Sequence, residues 1–230
     1  MTMAEGGSMA DAGCTIVIGD KNYSSWSLRP WLALKHCGAP FAEERIHLRQ
    51  PDSKAAILRH SPSGKVPALK TEFGTICDSL AILEYLAEQH PDAKLWPEAR
   101  EARAIARSIS AEMHAGFPAL RNDMPMDLLS ELPMPPVSEA LESEIKRVVA
   151  IWNGTRARFG KDGPFLFGTF TCADAMYAPV ATRFRTYGVD LGQFGDTGAG
   201  AAYVGAIFAL PAMADWTGGA RAEMKARASA

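Results

Sequence analysis

Asn22-Tyr23-Ser24-Ser25-Trp26-Ser27-Leu28-Arg29-Pro30-Trp31-Leu32 is the stretch that decides how this chain is read. A short uncharged run, Cys14-Thr15-Ile16-Val17-Ile18, precedes it and ends at Gly19-Asp20. Such a β-branched run closed by a turn signal predicts a strand buried on both faces. After the serines, Leu28, Trp31, Leu32, Leu34 and Cys37 recur at helical spacing, and Gly38 with Pro40 marks a stop. The order strand, serine turn, helix puts hydroxyls at a helix start, where the partial positive charge favours an anion. Such a hydroxyl is either an ordinary cap or an activating group. Pro30 is tolerated in the first turn of a helix. That places the expected cap at Trp26 or Ser27, with Ser24 in the turn just before it.

Working outward, residues 41–48 read as a second strand and 52–58 as a short helix. Residues 66–70 read as a strand with Pro67 near its start, which leaves that end of the strand without a ladder N–H. Glu72-Phe73-Gly74 is a hairpin-type turn, 75–77 the return strand, and Asp78-Ser79 opens a helix that ends at His90-Pro91. The order βαβ, α, ββα predicts a parallel first pair and a hairpin second pair. Beyond residues 92–97 the β signal vanishes. Helices are expected over 102–120, 138–159, 171–187, 200–210 and 212–216, with a polar, frayed tail from Gly218. Thr171 and Asp174 form a capping-box variant with Phe170 at the staple position. The expected organisation is a tail over 1–12 (disordered, or an expression remnant), an α/β domain over 13–91, a linker over 92–101 and an all-α domain over 102–230.

Composition narrows the function classes. The chain has 230 residues, 47% hydrophobic and 22% charged, with a formal net charge of -2. Nothing in that balance favours a nucleic acid or an anionic membrane as partner. Cys14, Cys37, Cys77 and Cys172 are scattered, without Cys-x-x-Cys pairs or metal-spaced histidines. They read as reduced, mostly buried thiols of a cytoplasmic protein, with no metal site. No apolar run approaches the ~20 residues that span a bilayer. Residues 1–12 lack the basic-then-apolar order of a signal peptide.

Three features point to one site. Ser24 lies between a strand and a helix. Val66-Pro67 offers strand backbone to an extended, peptide-like ligand. Asp78-Ser79 sets a carboxylate, a hydroxyl and backbone N–H groups at another helix start, a set suited to an α-amino-acid head group. Lys65 stands ready for a second carboxylate. A zwitterionic ligand with a thiol between two carboxylate ends fits them together.

These motifs resemble those of the cytosolic glutathione S-transferases, a thioredoxin-like domain (βαβαββα) followed by an all-helical domain. The resemblance runs from Cys14 to Trp216. It rests on Ser24-Ser25-Trp26-Ser27-Leu28-Arg29, similar to the serine motif of the zeta and tau classes, on Val66-Pro67-Ala68-Leu69, on Cys77-Asp78-Ser79-Leu80-Ala81-Ile82 and on Thr171-Cys172-Ala173-Asp174. It implies glutathione as co-substrate, with Ser24 stabilising its thiolate, the reactive form. Val66 would pair with the cysteinyl part, and Pro67 would be cis. Asp78 and Ser79 would hold the γ-glutamyl end and Lys65 the glycine carboxylate. Arg29 would pair across a dimer or domain interface. Pro30 stands where the family usually has an aliphatic residue, so Ser25 and Tyr23 stay open as the working hydroxyl. A small electrophile would sit against the helix from residue 102, with Met113, His114, Phe117 and Arg121 as candidate contacts; Arg183 and Arg185 are candidates for an acidic substrate. Trp26 and Trp31 are assigned to packing at the domain junction. The implied activity is conjugation of glutathione to that electrophile by a homodimer. Two alternatives remain: a glutathione-dependent isomerase like the maleylacetoacetate isomerases, and a non-catalytic binding protein of the same fold.

Overall fold

A computed structural model describes residues 13–229; the tail expected over 1–12 lies outside the described residues. The chain begins with β1 (Thr15–Ile18), α1 (Ser25–Cys37), β2 (Ala42–Arg45) and α2 (Ser53–Leu58). It continues through β3 (Ala68–Thr71), β4 (Gly74–Cys77) and α3 (Ser79–Gln89). The sheet order is β2-β1-β3-β4, with β1 and β2 parallel and the other two pairings antiparallel. This is the thioredoxin-like layer expected from the sequence. Because successive strand side chains alternate in face, Ile16 and Ile18 enter the main core while Val17 joins Ile46, Ile57 and Ala68 in a small core on the other face.

The second layer is helical: α4 (Arg100–Ala115), α5 (Pro118–Asp123), α6 (Glu139–Phe159), α7 (Cys172–Thr186), α8 (Ala199–Ala209) and α9 (Pro211–Ala228). The expected helix over 102–120 is two helices. Pro118 disfavours the helical conformation at the residue before it, and Phe117 adopts φ 63° there. The frayed tail expected from Gly218 is also corrected, since α9 runs on to Ala228. Gly219 lies where a side chain would meet Lys21. A Cβ on Gly219 would lie 2.7 Å from Lys21 Cδ, and Lys21 crosses there to lie between the Trp31 and Trp216 rings. Of the four free cysteines only Cys172 is buried; the other three are half-buried.

One main core joins both layers, running from Ile16, Leu28 and Leu32 to Trp152, Tyr177 and Trp216. Helix α1 is its axis, packed on α3 in its own layer and on α7 and α9 in the other. The capping box of α7 is present. The buried Asp174 carboxylate accepts from Thr171 N (2.8 Å), Thr171 Oγ1 (2.9 Å) and Leu166 N (3.0 Å).

Candidate functional site

The serine turn is built differently from the expectation. Ser24 caps α1: its Oγ accepts from Ser27 N (3.3 Å), and Leu28 N donates to its carbonyl (3.2 Å). The assignment of the cap to Trp26 or Ser27 is therefore corrected. Pro30 falls at the sixth helical residue, where it forfeits only the bond to the Trp26 carbonyl. An earlier start lets a serine oxygen satisfy an otherwise orphaned helix N–H. The Ser24 hydroxyl donates inward to Ser27 Oγ (2.7 Å), which also accepts from Gly19 N (3.0 Å). Ser25 Oγ accepts from Arg183 (3.3 Å). Tyr23 turns its hydroxyl to Met224 Sδ (3.8 Å), toward α9.

A cleft of about 620 Å³ opens between the layers. It brings together Lys65, Val66, Pro67, Asp78 and Ser79 from the first domain with His114 from α4. The Val66-Pro67 bond is cis, and both residues precede the β3 ladder, which starts at Ala68. Asp78 Oδ1 caps α3 by accepting from Leu80 N (2.8 Å), while Oδ2 faces His114 Nε2 at 3.1 Å. Asp78 sits at φ 81°, a region costly for a residue with a side chain and frequent at ligand sites. Ser79 Oγ is buried and has no partner among the described residues. A buried hydroxyl left unpaired is unfavourable, so a carboxylate acceptor in the cleft fits it.

Other placements are corrections. Met113 and Phe117 are core residues, 1% and 5% exposed, and do not line the cleft. Ser24 and Ser25 are buried and stand behind its wall, where Trp26 takes the surface position. Trp26 is thus a site residue as well as a junction residue. Its ring meets His114 edge-on at 5.4 Å. The Arg29 and Arg121 guanidinium groups lie 4.3 and 4.8 Å from the same ring.

Arg29 is the largest departure. It is fully buried, and none of its guanidinium nitrogens has a hydrogen-bond partner among the described residues. Complete burial in one chain removes it from any dimer contact; at the domain junction it lies near Arg121 and Arg183. Arg121 donates to the carbonyls of Gly116 (3.0 Å) and Met113. Arg183 donates to the carbonyls of Met124 (2.8 Å) and Pro179 (3.0 Å), besides Ser25. Burial lowers all three guanidinium pKa values. Arg29 falls well below the ordinary range, with Arg121 and Arg183 adding repulsion and Asp78 opposing it. Arg183 is brought down to about 10 by burial and then by Arg121. Arg185 is exposed, its guanidinium 4.3 Å from the Phe208 ring. The sequence did carry one signal for Arg29. Trp26 and Arg29 are three apart on a helix, the spacing at which side chains meet.

Residues 23–89 match the family model described as "Glutathione S-transferase, N-terminal domain", and residues 135–218 match "Glutathione S-transferase, C-terminal domain". A maleylacetoacetate isomerase of Rattus norvegicus is 30% identical over 174 residues, 74% of this chain and 77% of that protein. The chain belongs to the glutathione S-transferase family. A probable maleylacetoacetate isomerase of Caenorhabditis elegans is 36% identical over 107 residues, 46% of this chain. That match spans about half (49%) of the relative's own length. The fold is shared with a Burkholderia glutathione transferase homologue crystallised with bound glutathione. The TM-score is 0.68 at 22% identity, over 90% of this chain and 97% of the other.

Proposed function

We propose that this glutathione S-transferase family member is a glutathione-dependent cis–trans isomerase of a small unsaturated diacid. The observation that carries the reading is the arginine cluster. Arg29, Arg121 and Arg183 gather about Trp26 and Ser25; their hydrogen-bond partners are carbonyls and a hydroxyl, and Asp78 and Glu144 act on Arg29 and Arg121 only through their charge. None of the three lines the cleft, so their net positive charge acts on it from behind the wall and favours an acidic substrate over a neutral electrophile. The names of the similar proteins support the same choice.

Bound glutathione supplies a thiolate that adds reversibly to the activated double bond and leaves again, so it is regenerated. The chain's own groups orient and hold. Ser79 Oγ donates to the γ-glutamyl carboxylate, Asp78 accepts from the ammonium, and Lys65 pairs with the glycine carboxylate. Val66 offers its backbone to the cysteinyl part. Ser24 turns its proton from Ser27 to the sulfur. Ser25 is the alternative, because Arg183 donates to its oxygen and leaves its proton free. Trp26 and His114 shield the reacting centre from water. The reading includes a homodimer in the cytoplasm and no metal.

The test is incubation with glutathione and maleylacetoacetate, followed by mass spectrometry of the product. The expected product is isomeric with the substrate, with all glutathione recovered. A product carrying glutathione makes the chain a conjugating transferase. Absence of turnover together with an unperturbed glutathione thiol makes it a binding protein.

A further inference from the structure

The turn that carries Ser24 and Ser25 is held in place by the far end of the chain. Within itself the turn has few backbone bonds: the Asp20 carbonyl accepts from Tyr23 N (3.1 Å) and Ser24 N (2.8 Å), and the Tyr23 carbonyl from Ser25 N (3.2 Å). The backbone groups of Lys21 find partners about 200 residues away. Lys21 N donates to Glu223 Oε2 (2.9 Å), and the Lys21 carbonyl accepts from Trp216 Nε1 (2.8 Å). The Asp20 carboxylate, itself buried, accepts from Arg227 (2.5 Å) and from Leu48 N (2.8 Å). Glu223 is 6% exposed and also meets Arg45 at 3.0 Å. Buried backbone groups are nearly always paired. Without α9 the N–H and C=O of Lys21 would have to turn elsewhere, three and four residues before Ser24 and Ser25.

We propose that α9 is a clasp whose Trp216, Glu223 and Arg227 are positioning residues for the serine turn and thereby for activation of the glutathione thiol. The proposal rests on the reading that this turn serves the thiol. Asn22 provides the other jaw: its side chain bonds Asp127 Oδ1 (2.7 Å) and Leu129 N (2.9 Å), and its carbonyl accepts from Leu128 N (3.1 Å). The turn is therefore fixed from both sides by the helical domain. By contrast Lys65, Val66, Asp78 and Ser79 lie on the first domain's own elements. Loosening α9 should disturb the hydroxyl and leave the peptide-binding groups where they are. A displacement of about 1 Å at a reacting centre is enough to cost on the order of a hundredfold in rate.

Two variants test the clasp in the full-length protein; Trp216→Phe cuts one bond, and Glu223→Met also removes the Arg45 ion pair. Glu223→Met removes the acceptor for Lys21 N. Trp216→Phe keeps a ring and removes the donor to the Lys21 carbonyl. Glu223→Gln keeps an acceptor and serves as the rescue. Three readouts are needed: the glutathione Kd, the thiol pKa of bound glutathione from thiolate absorbance, and kcat against KM. The expected result for Glu223→Met and Trp216→Phe is a Kd within about threefold of wild type and a bound-thiol pKa raised by about one, hence about tenfold less thiolate at neutral pH. A matching fall in kcat follows. Glu223→Gln is expected to behave as wild type. Should Glu223→Met fail to fold, Trp216→Phe decides the question. A wild-type bound-thiol pKa in Trp216→Phe, whatever its melting temperature, overturns the clasp and makes α9 a packing element. A wild-type chain that binds no glutathione overturns the underlying reading as well, so the two failures are distinct.

Discussion

Arg29→Met should make this protein more stable and worse at its chemistry. The guanidinium is fully buried, without a hydrogen-bond partner among the described residues, and two further arginines repel it. An uncompensated buried charge costs about 3–5 kcal/mol. The Trp26 face at 4.3 Å returns about 2 kcal/mol of that for a desolvated cation. Asp78 contributes a further attraction in the same sense. Methionine keeps much of the stem's volume and removes the charge, so the net gain should be about 1–3 kcal/mol. For a chain of this size 1 kcal/mol moves Tm by about 2–4 °C. The expected rise is then about 4–8 °C for the middle of that range, with a matching increase in the urea midpoint. The functional arm runs the other way: KM for the diacid should rise by about tenfold as the positive field behind the cleft weakens, while the glutathione Kd holds. A variant less stable than wild type would mean that the charge is compensated in the native protein. A stabilised variant with an unchanged diacid KM would keep the electrostatics and refute the assignment of the cluster to the substrate.

Ser79→Ala should leave the free protein as stable as wild type or more so, since it removes an unpaired buried hydroxyl. It should weaken glutathione binding, measured by calorimetry, by about 10–100-fold, the worth of a hydrogen bond to a charged group. Ser24→Ala should cost about 1 kcal/mol of stability through the lost cap and lower turnover more than it weakens glutathione binding. Wild-type turnover in that variant, with a loss in Ser25→Ala, would move the working hydroxyl to the serine that accepts from Arg183. Asp174 gives a pH dependence. Burial raises its pKa from 3.8 to about 6, against the pull of the cap bonds. The folded state then binds the extra proton between those values, so this group's contribution to stability grows as pH falls from about 6 to about 4 and is absent above. At 1.36 kcal/mol per tenfold the full effect is about 3 kcal/mol. Urea midpoints of wild type and Asp174→Asn should therefore diverge in wild type's favour across that interval, and parallel curves would contradict it.

The parts legible in the sequence were those set by local rules. The apolar run of β1, the Gly38 stop, the Asp78 cap and the capping box of α7 each involve a few neighbouring residues. Errors came where a local rule met a distant partner. Pro30 alone argues for a late helix start, yet Ser24 finds both a donor and an acceptor in Ser27, and the longer helix wins. The polar tail from Gly218 alone argues for fraying, yet Glu223 and Arg227 find Lys21 N and the Asp20 carboxylate some two hundred residues earlier, and the helix runs on. The break before Pro118 was available from the restriction that a proline places on the preceding residue.

The two halves of the candidate site differ in the same way, and this bears on specificity. Lys65, Val66, Pro67, Asp78 and Ser79 come from two short segments joined by one hairpin, so their order along the chain already announces a shared ligand. The arginine cluster comes from α1, α5 and α7, and no spacing links 29, 121 and 183. Its members meet only because α1 packs on α7 and the Phe117-Pro118 break lets α5 return toward Trp26. Substitutions at 121 or 183 can then alter which anion is held without touching the serine motif. On that argument Arg121→Met should raise the KM for a diacid while leaving the thiol pKa of bound glutathione unchanged. Arg183→Met should shift both, because Arg183 also donates to Ser25. Identical effects from the two variants would count against the division of labour drawn here.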